Sequence, residues 1–284
     1  MKTTIKGTEI EFKKEVTITK VLDAVGDFVI PAEIDGCRVT GIGDRAFEAC
    51  RNLKSVTIPD SIVSIAGDAF YCCDCLDAFV VGDGNARYKT VKGLLIEDEK
   101  TLVAVPRTLT SVDIPDCVTK IGDNAFLGHE LLRAVMIPDS VESIGEQAFC
   151  QCNNLTNVAI PDSVKNIGNS TFAFCDNLRN VTISDGVKTI DEHAFFLCKS
   201  LTEMEIPGSI DEIGDFAFGS CFELKRVAFT DGVGNKNISE NAFDGCYKLT
   251  NMKFPDSIMS ILKVANKLSN GKFRLNDAAP QKIL

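Results

Sequence analysis

The strand-like endings SVDIP, AVMIP, NVAIP, NVTIS, EMEIP and RVAFT close on Ile114, Ile137, Ile160, Ile183, Ile206 and Phe229, and every step between them is 23 residues. Further endings at Ile30, Ile58, Val81 and Phe254 bring the count to about ten turns, the first and last irregular. A fixed period of this size restricts the chain to a solenoid, because one such unit cannot bury its apolar side alone and must stack on its neighbours. Within a unit, Leu155, Val158 and Ile160 alternate along one extended segment, Val164 and Ile167 along a second, and Phe172 closes a tighter turn.

Stacking at about 4.8 Å per rung turns equivalent residues into columns. Phe47, Phe70, Phe126, Phe149, Phe172, Phe195, Phe218 and Phe243 make one column, expected to be the spine of the core. The Pro after the first segment (Pro115, Pro138, Pro161) cannot donate to a ladder and ends the strand at a bend. The Gly of the Ile-Gly pair (Gly122, Gly145, Gly168) suits a second bend where a Cβ would be costly.

Two full units, LTNVAIPDSVKNIGNSTFAFC and LLRAVMIPDSVESIGEQAFCQC, closely resemble the BspA-like leucine-rich-repeat family, whose unit reads roughly LxxVxIPxSVxxIGxxAFxxC. The resemblance runs over about residues 28 to 261 and involves several columns together. It implies a curved, right-handed leucine-rich-repeat solenoid with a parallel β-sheet and short turn or helical segments, used in that family for adhesion and protein recognition. Members are often surface-exposed.

The expected organisation is an N-terminal β cap over 1–28, a solenoid over 29–256 and a C-terminal capping helix with a tail over 257–284. Ser257 can N-cap that helix, whose face would carry Ile258, Ile261, Leu262, Ala265 and Leu268. The distance from a column Phe to the next strand ending stays at 11 residues, so length variation falls between a strand ending and the next bend. It appears as PAEIDGCRVTG after Ile30, TDGVGNKN after Phe229 and a long insertion after Val81, all expected on one edge. The insertion at 84–106 has two apolar runs around Glu97-Asp98-Glu99-Lys100, which predicts a β-hairpin replacing a helical turn.

Composition narrows the function. A hydrophobic fraction of 45% over 284 residues supplies a core, and a net charge of -10 without a basic run argues against a nucleic-acid partner. The N-terminus MKTTIKGTEIEFKK lacks the apolar run of a secretory signal, and no later stretch is long enough to cross a bilayer, so no membrane insertion is expected. That pattern reads as cytoplasmic, or as cell-surface or secreted where a signal has been trimmed. Seven of the twelve cysteines (Cys50, Cys73, Cys152, Cys175, Cys198, Cys221, Cys246) share one column, which suits reduced thiols filling a tight turn better than unique disulfides. Cys72, Cys73 and Cys75 crowd one turn without paired CxxC knuckles, so neither a metal nor a cofactor is expected. His129 occupies the Cys column as a packed imidazole, and His193 is expected to be solvated. The two lie three rungs apart, about 14 Å at parallel-strand spacing, and no phosphate loop, GxSxG or HExxH occurs. The chain reads as a non-enzyme.

Two surfaces remain for a protein partner. Outward positions of the first strand form a mixed polar face that includes Asp113, Met136, Asn157, Asn180, Glu203, Glu205 and Arg226. Variable positions just after the column Phe carry Tyr71, Leu127, Phe174, Phe196 and Leu197, where polar residues would satisfy the fold. A protein-interaction scaffold is the leading expectation; glycan binding and a structural module of a larger protein are the alternatives, the first disfavoured by a sheet face without Trp or Tyr. The partner's identity and the oligomeric state stay open at this level.

Overall fold

The computed structural model describes residues 2–5, 8–11, 15–230, 232 and 237–253. The helix expected after Ser257, the tail, and most of the insertion after Phe229 lie outside the described residues.

The chain winds as a β-solenoid of about ten turns. The first extended segment of each turn stacks as parallel strands, and equivalent residues pair at the repeat spacing, Asn157 against Asn180 and Ile160 against Ile183. This first sheet runs in three stretches: Gly26–Val29 to Ala78–Val81, Ser111–Asp113 to Asn180–Ile183, and Glu203–Ile206 to Asn251–Lys253. The second extended segment is shorter. Two-residue strands from Lys120–Ile121 to Asn237–Ile238 pair in parallel, one per turn, in the second sheet. At the N-terminal end Glu15–Ile18, Cys37–Ile42 and Ser64–Ile65 stack at the same level, while Lys2–Ile5 and Thr8–Glu11 form a separate antiparallel pair.

A third ladder runs along the tight turns. Alternate amides donate to the following rung: Asn124 N–H to Glu146 O at 3.0 Å, Phe126 N–H to Ala148 O at 2.7 Å and Gly128 N–H to Cys150 O at 2.7 Å. To aim those amides along the stack, residues two before and two after the column Phe adopt left-handed φ. Gln147 (54°) and His193 (58°) do so on one side; Gln151 (61°), Phe174 (61°) and Leu197 (59°) do so on the other. These amides serve the neighbouring rung and cannot close i to i−4 bonds within their own. The described turns therefore contain no helix, and the expected turn or helical segments are turns.

The core follows the columns. Rings of Phe126, Phe149, Phe172, Phe195, Phe218 and Phe243 stack at centroid spacings of 4.5 to 5.3 Å, all fully buried. Beside them the cysteine column is hydrogen-bonded as well as buried. From Cys73 on, each thiol of the column donates to the carbonyl of the column Phe one rung back, as Cys152 does to Phe126 O at 3.2 Å, Cys175 to Phe149 O at 3.2 Å and Cys198 to Phe172 O at 3.3 Å, while Cys50 donates to Val21 O. All twelve cysteines are free thiols. Burial pushes those of Cys73 and Cys152 up to about 12, so they stay protonated and unreactive at neutral pH.

The insertion is larger than a hairpin and does not hang free. Tyr88–Val91, Leu94–Glu97 and Thr101–Ala104 form an antiparallel meander, turned at Lys92-Gly93 (φ 50° and 80°) and Asp98-Glu99 (φ 46° and 62°). Paired positive φ values are those of tight hairpin turns. Its last strand joins the second sheet by parallel pairing with Lys120–Ile121. The insertion after Ile30 likewise folds back, Glu33–Ile34 antiparallel to Cys37–Ile42. Both insertions thus extend sheet structure at the level of the second strand. The meander also divides the core: Leu95, Val103 and Ala104 pack with residues 24–88, whereas Leu94, Ile96 and Leu102 pack with residues 105–252.

Candidate interaction surface on the turns

The residue following each column Phe points away from the Phe stack along the outer side of the turns. There Leu127, Cys150 and Ala173 form a small buried cluster against which Tyr71 and Phe196 pack. Three of the five expected patch residues are thereby brought together, but as a packed group. Tyr71 is held at both ends. Its hydroxyl donates to Gln151 Oε1 at 2.8 Å, and the Arg45 guanidinium lies 5.3 Å from its ring centre. Phe174 adds an edge-on contact to Phe196 at 5.7 Å and is 38% exposed. Leu197, half-buried, follows one rung on from Phe174 in the same left-handed column.

The sequence reading missed how far this group extends. His193, expected to be solvated, is half-buried because its ring stacks on Phe216 at 5.6 Å and meets the edge of Phe196 at 5.1 Å. Reading the column two residues before the Phe (Arg45, Asn124, Gln147, Ser170, His193, Phe216) would have placed both rings beside Phe196. Farther along, Phe222 and Tyr247 stack in parallel at 6.1 Å, with Tyr247 84% exposed.

The seven residues expected on the sheet face are all exposed on the first sheet. Several satisfy one another. Asp113 lies beside Met136 in register, Asn157 Oδ1 accepts from Asn180 Nδ2 at 2.5 Å, and Arg226 pairs with Glu203 at 3.4 Å. Glu205 aligns with Ala228. The face is a series of short polar ladders. On the opposite bends, two shallow grooves are lined by carboxylates that include Asp123, Glu146, Asp191, Glu212 and Asp215. Among the described residues no group of three or more side chains is placed to hold a metal ion.

The two histidines occupy unrelated environments. His129 is fully buried, with Nε2 2.9 Å from Pro106 O and Nδ1 without a protein partner. Burial, and then the nearby Arg107 charge, hold its pKa down to about 4. His193 Nδ1 lies 3.2 Å from Glu192 on the surface.

The columns that build this face are those of a known repeat. The BspA-type leucine-rich-repeat region matches in six copies, over residues 28–88, 106–225 and 175–267. The chain belongs to the BspA-type leucine-rich-repeat family. The stretch between the first two matched ranges coincides with the meander. Among solved structures, a leucine-rich repeat protein from Eubacterium ventriosum is similar with a TM-score of 0.66 and 22% identity, over 82% of this chain and 62% of that one. A leucine-rich cell surface protein from Faecalibacterium prausnitzii gives 0.55 and 24%, over 87% and 63%. The pneumococcal vaccine antigen PcpA gives 0.51 and 12%, over 92% and 65%. At these identities the likeness is one of fold, and this BspA-type chain spans less than two thirds of each relative's length. Curated proteins give no match. Leucine-rich-repeat solenoids are in general scaffolds, and the fold is compatible with a protein-interaction module.

Proposed function

We propose that this BspA-type chain is a non-enzymatic scaffold that binds another protein through the turn face centred on Phe174, Phe196 and Leu197, flanked by Tyr71 and Leu127. The observation that carries the reading is Phe174. It occupies a left-handed position, φ 61°, where two other rungs use Gly128 and Gly245. A side chain with a Cβ is disfavoured there by about 1 kcal/mol, and the ring is still 38% exposed. Other rungs place Ala49, Gln151 and Ser220 at this left-handed position, so packing alone does not call for an exposed aromatic there, and apolar groups gathered on a surface are typical of partner contacts. The cell surface protein and the vaccine antigen among its structural relatives are consistent with adhesion or recognition as the setting.

The polar ladders of the first sheet, with Asp113, Met136, Asn157, Asn180, Glu203, Glu205 and Arg226, are the second candidate face. Their side chains are largely paired with one another, and displacing such pairs gains little. The test compares Phe174→Ser/Phe196→Ser with Asn157→Ala/Glu203→Ala in self-association measurements and in capture of partners from an extract. Loss of binding in the first variant alone supports the turn face. Unchanged self-association and capture in that variant overturn it.

A further inference from the structure

At the meander every repeating interaction of the solenoid stops at one level. The first sheet breaks between Ala78–Val81 and Ser111–Asp113, and the second between Ser64–Ile65 and the meander. The phenylalanine stack stops at Phe70, whose ring turns edge-on to Phe79 at 5.2 Å, and resumes at Phe126. The turn ladder stops too. By the repeat, Phe70 and Cys72 N–H should donate to the next rung, as Phe126 and Gly128 do, but neither has a protein acceptor among the described residues. Gly67 lies so close to the next turn that a Cβ would sit 1.9 Å from Asp123 O. A void of about 20 Å³ remains between the two turns, bordered by Phe70, Tyr71, Arg107, Ala125 and Leu127.

Arg107 repairs part of this gap. Leu127 O, which by the repeat would accept an amide from a preceding turn, instead accepts Arg107 Nη1 at 2.8 Å, and Gly128 O accepts Nη2. Arg107 is only 8% exposed, and burial lowers its pKa. Among the described residues, the only backbone hydrogen bond linking residues 15–82 to the rest of the solenoid beyond the meander is Arg107 N–H to Leu76 O, at 2.6 Å. Thr108 Oγ1 to Asp77 Oδ1 at 2.6 Å and Tyr71 to Gln151 at 2.8 Å reinforce it from side chains. The meander itself is tied by ladder bonds to the C-terminal side, Thr101–Ala104 with Lys120–Ile121. Toward the N-terminal side it offers the apolar contacts of Tyr88, Leu95, Val103 and Ala104, and Asn85 Nδ2 donating to Pro59 O and Ile62 O.

We propose that this seam is a conformational joint at which residues 15–82 part from the meander as one stiff stack, with Arg107 and Thr108 as the latch. Between most neighbouring rungs of the longer stack, separation breaks three hydrogen-bonded ladders and a ring stack together, and at the break of the first sheet between Ile183 and Glu203 it still breaks two ladders and the ring stack. Here it breaks one backbone bond, a few side-chain hydrogen bonds and the apolar contacts of Tyr88, Leu95, Val103 and Ala104. Opening leaves each stack internally intact because the meander stays as the wall of the C-terminal core. The joint also sets the geometry of the turn face, since Tyr71 belongs to one stack and Leu127, Phe174 and Phe196 to the other. Its existence does not depend on that face binding a partner.

Hydrogen exchange followed by mass spectrometry on the full chain tests this. In the parent protein, amides of residues 66–81 should exchange faster than the equivalent amides of rungs 149–218. Thr108→Val, at a half-buried position outside both apolar cores, should accelerate exchange over 66–81 by about fivefold, the worth of one hydrogen bond, and leave 149–218 unchanged. Arg107→Met should do the same more strongly. Equal protection on both sides of the seam in the parent, or an acceleration shared by all rungs in Thr108→Val, would overturn the joint; if Arg107→Met does not fold, Thr108→Val decides alone.

Discussion

His129 stands in a column that other rungs fill with cysteine, and it does the same work with a ring nitrogen against Pro106 O that the thiols do against Phe carbonyls. The substitution carries a pH cost that a thiol does not. Because burial and Arg107 hold the folded-state pKa near 4 against an ordinary value of 6.5, the unfolded chain takes up the proton first as the pH falls. Stability is therefore complete above pH 6.5 and is lost progressively between 6.5 and about 4. Urea denaturation should show a loss of about 2–3 kcal/mol attributable to this residue between neutral pH and pH 4.5. His129→Cys should remove that component; an unchanged pH profile in the variant would contradict it. The left-handed positions make a second residue-scale prediction. Gln147 is exposed with φ 54°, so Gln147→Gly should raise stability by about 0.5 kcal/mol, strain relief exceeding the added unfolded-chain entropy. An unchanged or lowered melting temperature would contradict that assignment of strain.

Among elements, the meander depends on its turns. Gly93 has φ 80° and nothing within 4 Å of where a Cβ would stand, so Gly93→Ala costs only backbone strain. The expected loss is about 1 kcal/mol, read as a shift in denaturation midpoint without a change in slope. This turn also shows where the sequence is legible and where it is not. The 23-residue columns could be read directly because Phe149, Phe172 and Phe195 each meet their own kind, so one physical demand is written repeatedly. The second apolar run and the Glu97–Lys100 turn likewise announced a hairpin. Lys92-Gly93 carries a weaker signal, a single Gly between moderately apolar runs. Arg107 could not be read at all: its role exists only because the turn rung that should supply donors to Leu127 O is missing. On the candidate face, Tyr71, Leu127, Phe174, Phe196 and Leu197 stood out as apolar at variable positions, whereas His193 and Phe216 are brought to them by the left-handed column, which has no residue-type signature.

For the whole molecule, stacking makes stability a sum of nearest-neighbour terms, and the meander divides that sum between two cores. The buried thiols report on each core separately. In the native protein, alkylation at neutral pH should label the exposed Cys75 and Cys117 and spare Cys73, Cys152, Cys175 and Cys198. Phe172 lies in the middle of the longer stack between Phe149 and Phe195, and Phe172→Ala should remove about 3–5 kcal/mol by leaving a cavity there. Its flanking thiols, Cys152, Cys175 and Cys198, should then alkylate faster, because opening of those rungs no longer requires breaking an intact ring column. Cys73, whose Sγ donates to Phe47 O on the other side of the meander, should keep its parent rate. Peptide-resolved mass spectrometry separates these sites. If Cys73 accelerated in step with Cys175, the two cores would open as one cooperative unit, and the meander would be a continuous part of a single stack.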